Sequence, residues 1–422
     1  MLRNTGCRRL SDTATRLSRD TRYRGALFRR ALPALTQNLR LAVVNGTLTL
    51  DPPVIREIRG RDGVKTIAQY GLQETLLLTA LHRLLADGMD LKLSPECIGG
   101  RRGFSRHSFL GTLARARREK RNWVLVTDVA GYYASVDQDI LDEVLRAKPF
   151  RLARDIRGLV MRLVRAGGRG LLPGNALAKH LANAYLHESD EFLASKGLVF
   201  CRFIDDFAVF VKTRRQAEAI LEELRTCLQT RRGLALSAPK TGIYHRYQQG
   251  FEFLGYRVIG DSTLPTHENA ERFVAQVQTY AERARVRSLS KAVRGLNRRI
   301  HWFGHQYKQG RVKQLYDELD EKVRAALRAH LKNRADPAPA NARFRAPKGF
   351  PGNPAFANAD LAALGLASLA KIKADYDLKS RAERPPSVRE SGPPEIVEVS
   401  REGTGLLRIL LRAGKSEPQR SR

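Results

Sequence analysis

Two adjacent aspartates, Asp205 and Asp206, interrupt an apolar stretch that runs from residue 198 to residue 211. Val199-Phe200-Cys201-Arg202-Phe203-Ile204 stands on one side and Phe207-Ala208-Val209-Phe210-Val211 on the other. Runs rich in β-branched and aromatic residues read as strands, and the acidic pair between them reads as the tip of a β-hairpin. Carboxylates at the end of a buried hairpin repel one another and lose hydration, so a positive partner belongs beside them. Hard oxygen ligands suit a divalent metal ion. A lone Asp-Asp pair is more often a solvated turn. Against that reading stand the apolar flanks and a third acid, Asp128, which closes the strand Trp123-Val124-Leu125-Val126-Thr127. Three acids gathered at one end of a sheet suit two ions ~3.5–4 Å apart, which activate an attacking hydroxyl and steady a leaving oxygen. That is phosphoryl-transfer chemistry, in which a protein mainly supplies position and charge.

The rest of the composition narrows the partner. A net charge of +32 over 422 residues predicts a polyanion, because phosphates give affinity through counterion release whatever their sequence. The four cysteines lie far apart without CxxC or CxxH spacing, which argues against a zinc site and a disulfide framework and suits a reducing interior. The arginine-rich N-terminus has no continuous apolar segment, and no apolar run approaches the ~18 residues of a membrane span. A cytoplasmic protein without a membrane partner is expected.

Along the chain, residues 1–50 read as basic helical material ending at the turn signal Asn45-Gly46. Residues 54–58 and 64–68 flank Gly60-Arg61-Asp62-Gly63 as a short hairpin. Helical periodicity covers residues 73–85, 108–120, 138–165, 175–194 and 214–229. Further strands are expected at 234–236, 241–244 and 251–258, and a wholly helical, basic region at 269–333. After Asp336, prolines at 337, 339, 347, 351 and 354 mark a linker. One or two helices at 360–379 and a small hairpin from 395–399 and 406–411 follow.

An ordered series of motifs over residues 54–330 resembles the bacterial reverse transcriptases. Val126-Thr127-Asp128-Val129-Ala130-Gly131-Tyr132-Tyr133-Ala134-Ser135-Val136 is similar to their first palm motif. Arg202-Phe203-Ile204-Asp205-Asp206-Phe207 resembles the motif written Tyr-x-Asp-Asp, with Phe203 in place of tyrosine. Leu172-Pro173-Gly174-Asn175 and Leu181-Ala182-Asn183-Ala184-Tyr185-Leu186 resemble the helix motif before that hairpin. Lys240-Thr241 and Phe253-Leu254-Gly255-Tyr256 match the two later palm motifs. The resemblance implies an α+β (α/β) right-hand polymerase. Its parts would be a basic N-terminal extension (1–50), fingers (51–120), an antiparallel-sheet palm carrying the three aspartates (121–268), a helical thumb (269–333), and a Pro/Ala-rich linker with a C-terminal extension (334–422).

The same resemblance assigns roles. Asp128, Asp205 and Asp206, with Val129 beside them, would hold two Mg2+ ions, Mn2+ being the alternative. Tyr133 would lie under the sugar of the incoming nucleotide and exclude a 2′-hydroxyl; the bland reading is a core tyrosine. Lys240 would protonate or neutralise the leaving pyrophosphate, against a surface lysine after a turn. Lys65 and Arg101 fall where finger residues contact triphosphate or template. Arg298, Arg299, Trp302 and His305, within Arg298-Arg299-Ile300-His301-Trp302-Phe303-Gly304-His305, would grip a duplex through phosphates and stacking, or else Trp302 and Phe303 are core. One departure stands out: Ala178 and Lys179 replace the Ser-Gln or Thr-Gln that lines template and nucleotide in the family, which suggests unusual or template-poor synthesis. Expected partners are an RNA template, a DNA product and deoxynucleotides, with a noncoding RNA or a partner protein as additions. The activity implied is RNA-directed DNA polymerisation, with anti-phage defence favoured over an intron-encoded or diversity-generating role. A ribonucleotide polymerase, a terminal transferase and a catalytically silent nucleic-acid-binding scaffold are the rivals.

Overall fold

The computed structural model describes residues 26–60, 63–283, 289–332, 361–362, 365–382, 395–401 and 407–412. The arginine-rich residues before 26, the prolines after Asp336 and the last ten residues lie outside these. The chain divides into two compact units, Met1–His267 and Glu268–Arg422.

The first unit opens with helix α1 (Ala26–Val44) and the antiparallel hairpin β1 (Val54–Gly60) and β2 (Gly63–Gln69). Helix α2 (Leu72–Asp90) buries Leu76, Leu77, Leu81 and Leu85, the face its leucine spacing predicts. Helix α3 (Ser108–Arg118) leads to strand β3 (Trp123–Asp128) and a short helix α4 (Tyr132–Ser135). The expected helical stretch 138–165 is two helices, α5 (Gln138–Arg146) and α6 (Arg154–Arg165). Pro149 lies between them, where it offers no N–H and pushes the residue before it out of helical geometry. The stretch 175–194 likewise divides at Leu186, into α7 (Ala176–Tyr185) and α8 (His187–Ser195).

Strands β4 (Val199–Phe203) and β5 (Asp206–Val211) form the expected hairpin. Helix α9 (Arg214–Arg232) starts on a Thr213 hydroxyl cap and ends at Gly233 with φ +64°. Strand β6 (Gly242–His245) completes an antiparallel sheet in the order β4-β5-β3-β6. Alternation along β5 splits its side chains between two cores. Phe207, Val209 and Val211 join Ala217, Leu224 and Leu228 of α9, whereas Phe210 stacks 6.4 Å from Phe109 of α3. Residues 251–258 form not one strand but two, β7 (Phe251–Phe253) and β8 (Tyr256–Ile259), joined at Leu254-Gly255 with φ +51° and +81°. With β9 (Ser262–Pro265) they make a second sheet that packs on Phe109 through Phe251, Phe253 and Tyr256. The expected strand at 234–236 is a single bridge between Val129 and Leu236.

The second unit is helical: α10 (His267–Arg283, entering from the first), α11 (Leu289–Tyr307), α12 (Lys313–Lys332) and α13 (Leu369–Ala382). Its core is aromatic, with Phe273 and Phe303 stacked at 4.4 Å and the Tyr316 hydroxyl donating to the Gly304 carbonyl at 2.9 Å. Helix α13 packs on α11 and α12, so part of the expected extension is built into this helical unit. The buried Asp320 carboxylate accepts from the Leu369 and Ala370 amides at 2.8 and 3.1 Å and from the Ser368 hydroxyl at 2.6 Å. A further antiparallel hairpin pairs β10 (Glu395–Arg401) with β11 (Leu407–Arg412). Replacing Asp320 by Ala strips α13 of the carboxylate that caps its start from a neighbouring helix, at a cost on the order of 1–2 kcal/mol. Hydrogen exchange should then speed up roughly tenfold at residues 368–372 while the amides of α7 keep their protection.

Candidate active site

Register brings the acids together. In the β3–β5 pairing Asp128 stands directly opposite Asp206, at the end of both strands. Asp205 occupies the two-residue turn between β4 and β5, and its carbonyl accepts from the Val129 amide at 3.3 Å. One ligand oxygen from each of Asp128, Asp205 and Asp206 lies within 4.8 Å of the others. The preceding turn residue, Ile204, is held at φ +61°, a left-handed conformation that costs a β-branched residue about 1–3 kcal/mol.

The chain leaving β3 is fixed by the segment before β6. Ser237 donates its amide to the Asp128 carbonyl at 2.7 Å, and Ala130 donates to Ala235 at 2.9 Å. The Thr127 and Thr241 hydroxyls meet at 2.7 Å. These ties place a short 3-10 turn, Ala238–Lys240, over the acids, where Lys240 Nζ lies 2.8 Å from Asp128 Oδ2. That bond raises the Lys240 ammonium above the ordinary lysine value.

One ammonium does not balance three carboxylates. Lost hydration, then the charge of Asp128, pushes Asp205 up to about 6. Lost hydration, then Asp205 and Asp128, pushes Asp206 up to about 7. Three hard oxygen donors, two of which (Asp205 and Asp206) are reluctant to ionise without added positive charge, fit a divalent cation. Val129 has committed its amide to Asp205 and its side chain to the core, so any share it takes in holding ions falls to its carbonyl.

The structure also shows residues that the sequence reading passed over. Arg202, inside β4, is wholly buried and makes a two-pronged ion pair with buried Asp190 of α8, at 2.7 Å (Nε to Oδ1) and 2.5 Å (Nη2 to Oδ2). Its Nη1 donates to Asn183 Oδ1 at 3.0 Å and to the Ile204 carbonyl at 2.7 Å. A cation in the middle of an apolar strand was the visible signal; its partners lie on other elements.

The remaining candidates fall in several places. Tyr133 is half-buried, its ring 5.7 Å from that of Tyr132, and burial followed by the charge of Asp205 pushes its phenol up to about 12. Ala178 is buried in α7, while Lys179 is exposed. A Cβ on Gly100 would lie 3.3 Å from Lys179 Cβ and 3.2 Å from Ile204 Cδ1, so the lysine stem passes beside the hairpin tip. Arg101 donates to the carbonyls of Ser94, Cys97 and Asp90 at 2.6–2.8 Å and shapes its own loop. Lys65 lies on β2 opposite Ile58. In the helical unit Arg298, Trp302 and His305 share the exposed face of α11, whereas Arg299 lies over the Tyr280 ring at 4.0 Å. Trp302 is 63% exposed and Phe303 1%, which divides that pair between surface and core.

With both acids shifted upward, the folded, metal-free chain keeps protons that the unfolded chain releases near pH ~3.9. That stabilisation is complete below the unfolded value and is lost as pH rises through about 6 and 7. Melting in EDTA should therefore fall between about pH 4 and pH 7, and Asp206→Asn should flatten the fall by removing one of the two titrations. Mn2+ affinity should rise over the same interval, because the ion displaces those protons.

Comparison with known proteins finds a family to which the segment carrying this geometry is similar. Residues 75–258 match the family model described as reverse transcriptase (RNA-dependent DNA polymerase). Protein YkfC of Escherichia coli (strain K12) is 27% identical over 220 residues, covering 39% of this chain and 56% of that protein. The chain thus spans a little over half the length of this curated relative. Among solved structures, telomerase from Candida albicans in complex with a TWJ fragment of telomeric RNA is 11% identical with a TM-score of 0.39, over 67% of this chain and 61% of that one. Apo telomerase from Candida tropicalis is 10% identical with a TM-score of 0.45, over 71% and 61%. The matched span holds Asp128, Asp205, Asp206 and Lys240 in the expected order of motifs, so residues 75–258 are similar to the reverse transcriptases.

Proposed function

We propose that this chain is an RNA-directed DNA polymerase that extends a primer with deoxynucleotides. The observation that carries the reading is the convergence of Asp128, Asp205 and Asp206 at one sheet end with Lys240 beside them. Bound there, two divalent ions (Mg2+, with Mn2+ as the alternative) would favour ionisation of the primer 3′-hydroxyl and offset the triphosphate charge. The three carboxylates would hold that charge in place. Lys240 Nζ carries a proton within reach of the site and, released from Asp128, would donate it to the departing pyrophosphate. Tyr133, close enough to Asp205 to feel its charge, would set its ring under the sugar and exclude a 2′-hydroxyl.

Phosphate contacts come from the +32 net charge, and from Arg298 and His305 on the face of α11 that also exposes Trp302 for stacking. Lys179 adds a cation next to the hairpin tip. The template is RNA, with a noncoding RNA or a protein as a further partner, and synthesis is of an unusual or template-poor kind. The setting we assign is cytoplasmic anti-phage defence. None of the described helices is long and apolar enough to cross a membrane.

Asp128→Asn or Asp205→Asn should lower primer extension by on the order of a thousandfold and leave RNA retention on a gel unchanged, because the positive surface remains. Tyr133→Ala should raise ribonucleotide incorporation about tenfold in extension assays with each nucleotide class supplied alone. Sequencing the product made on a heteropolymeric RNA should show departures from the template, and faithful copying would end the template-poor reading. Phage plating on a host carrying the intact chain, but not Asp205→Asn, should fall.

A further inference from the structure

We propose that Asp190 and Asn183, acting through Arg202, are positioning residues that aim Asp205 at the other two carboxylates and so set the affinity of the site for divalent cations. The proposal rests on reading Asp128, Asp205 and Asp206 as a metal site. It begins from a turn that would not hold by itself.

Only Ile204 and Asp205 connect β4 to β5, and Ile204 is in the left-handed region, which a β-branched side chain disfavours. Such a conformation persists only where its surroundings over-determine it. Here they do so from two sides. On one side, Arg202 Nη1 donates to the Ile204 carbonyl at 2.7 Å, which belongs to the peptide group leading into Asp205. The guanidinium cannot follow that carbonyl if it drifts. Asp190 grips it with both oxygens from α8, and Asn183 Oδ1 binds it at 3.0 Å from α7. A planar fork held at three corners is a fixed point.

On the other side lies Gly99. A Cβ there would come within 2.4 Å of the Ile204 amide nitrogen, so only a bare backbone fits against the turn. Asn183 reaches this side too, its Nδ2 donating to the Gly99 carbonyl at 2.7 Å, while the Ile98 amide donates to the Arg202 carbonyl at 2.8 Å. One asparagine therefore ties both jaws of a clamp. What the clamp resists is the repulsion among three carboxylates, which favours any relaxation that swings Asp205 away. Released, the site loses one ligand from its proper place, and residues that orient metal ligands are typically worth 10–100-fold in affinity.

The test uses the full chain and counts free Mn2+ by its electron paramagnetic resonance signal, with no nucleotide or template present. Asp190→Asn removes the charge that fixes the guanidinium and should weaken Mn2+ binding roughly tenfold while circular dichroism still reports a folded chain. Adding Ile204→Gly, which adopts φ +61° without strain, should recover much of that loss. If Asp190→Asn does not fold, Asn183→Ala, which keeps the ion pair but cuts both ties, should show the same pattern with a smaller loss. Wild-type affinity in a folded variant with a lowered melting temperature would overturn the proposal and leave a purely structural ion pair. A loss that Ile204→Gly does not recover would overturn it as well. The underlying reading fails separately, if wild-type protein takes up no Mn2+ or Asp128→Asn takes up as much as wild type.

Discussion

Three carboxylates are held at the end of a sheet against their own repulsion, and the surrounding structure is arranged to prevent their escape. Antiparallel register sets Asp128 opposite Asp206, and a one-residue slip would turn one of them to the other face. Register is in turn fixed by burial. Alternate residues of β5 belong to different cores, so the strand cannot shift without exposing Phe207, Val209 and Val211 or burying the wrong side. The sheet core thus supplies the restoring force for a site whose local electrostatics are unfavourable until positive charge arrives.

Two cations meet this charge in different ways. Arg202 is fully buried, gripped by Asp190 and spent on a main-chain carbonyl. A guanidinium keeps its proton under all relevant conditions and suits fixed, planar recognition. Lys240 sits on a short turn with its side chain 62% exposed, bound to Asp128 by one contact. An ammonium on a flexible stem can change partners and give up a proton. In the proposed polymerase, exchanging the two residue types would put a group that does not yield its proton where one is to be donated, and a mobile group where rigidity is needed.

The hairpin, the strand before Asp128 and the leucine face of α2 were legible because local pattern and tertiary burial agree there. Breaks were harder. Pro149 stops a helix that periodicity alone would continue, and Leu254-Gly255 turns an apolar run back on itself where composition suggested one strand. The clamp was not legible. Arg202 announces itself by interrupting an apolar strand, but nothing in the sequence says that Asp190 and Asn183 are the residues that meet it. Arg101 is the converse case. Its place in the motif series suggested a contact with triphosphate or template, while its donors are directed at the carbonyls of Asp90, Ser94 and Cys97. Trp302 and Phe303, adjacent and alike in sequence, were separated only by helical phase.

Burial also separates the two residues that depart from the family pattern. Ala178 is enclosed within α7, so the hydroxyl it lacks is missing from the interior of the fold. Lys179 is exposed, with its stem beside Gly100 and the Ile204 side chain, one residue from Asp205. In the proposed polymerase, the change that a nucleic acid would feel is then the exchange of an amide for a cation. An amide can donate and accept, and so can tell one base edge from another; an ammonium only donates, and phosphate oxygens are its natural partner. The physical content of the proposed unusual templating would thus be a shift at the hairpin tip from reading bases toward holding backbone. Affinity gained that way falls with salt and is indifferent to sequence.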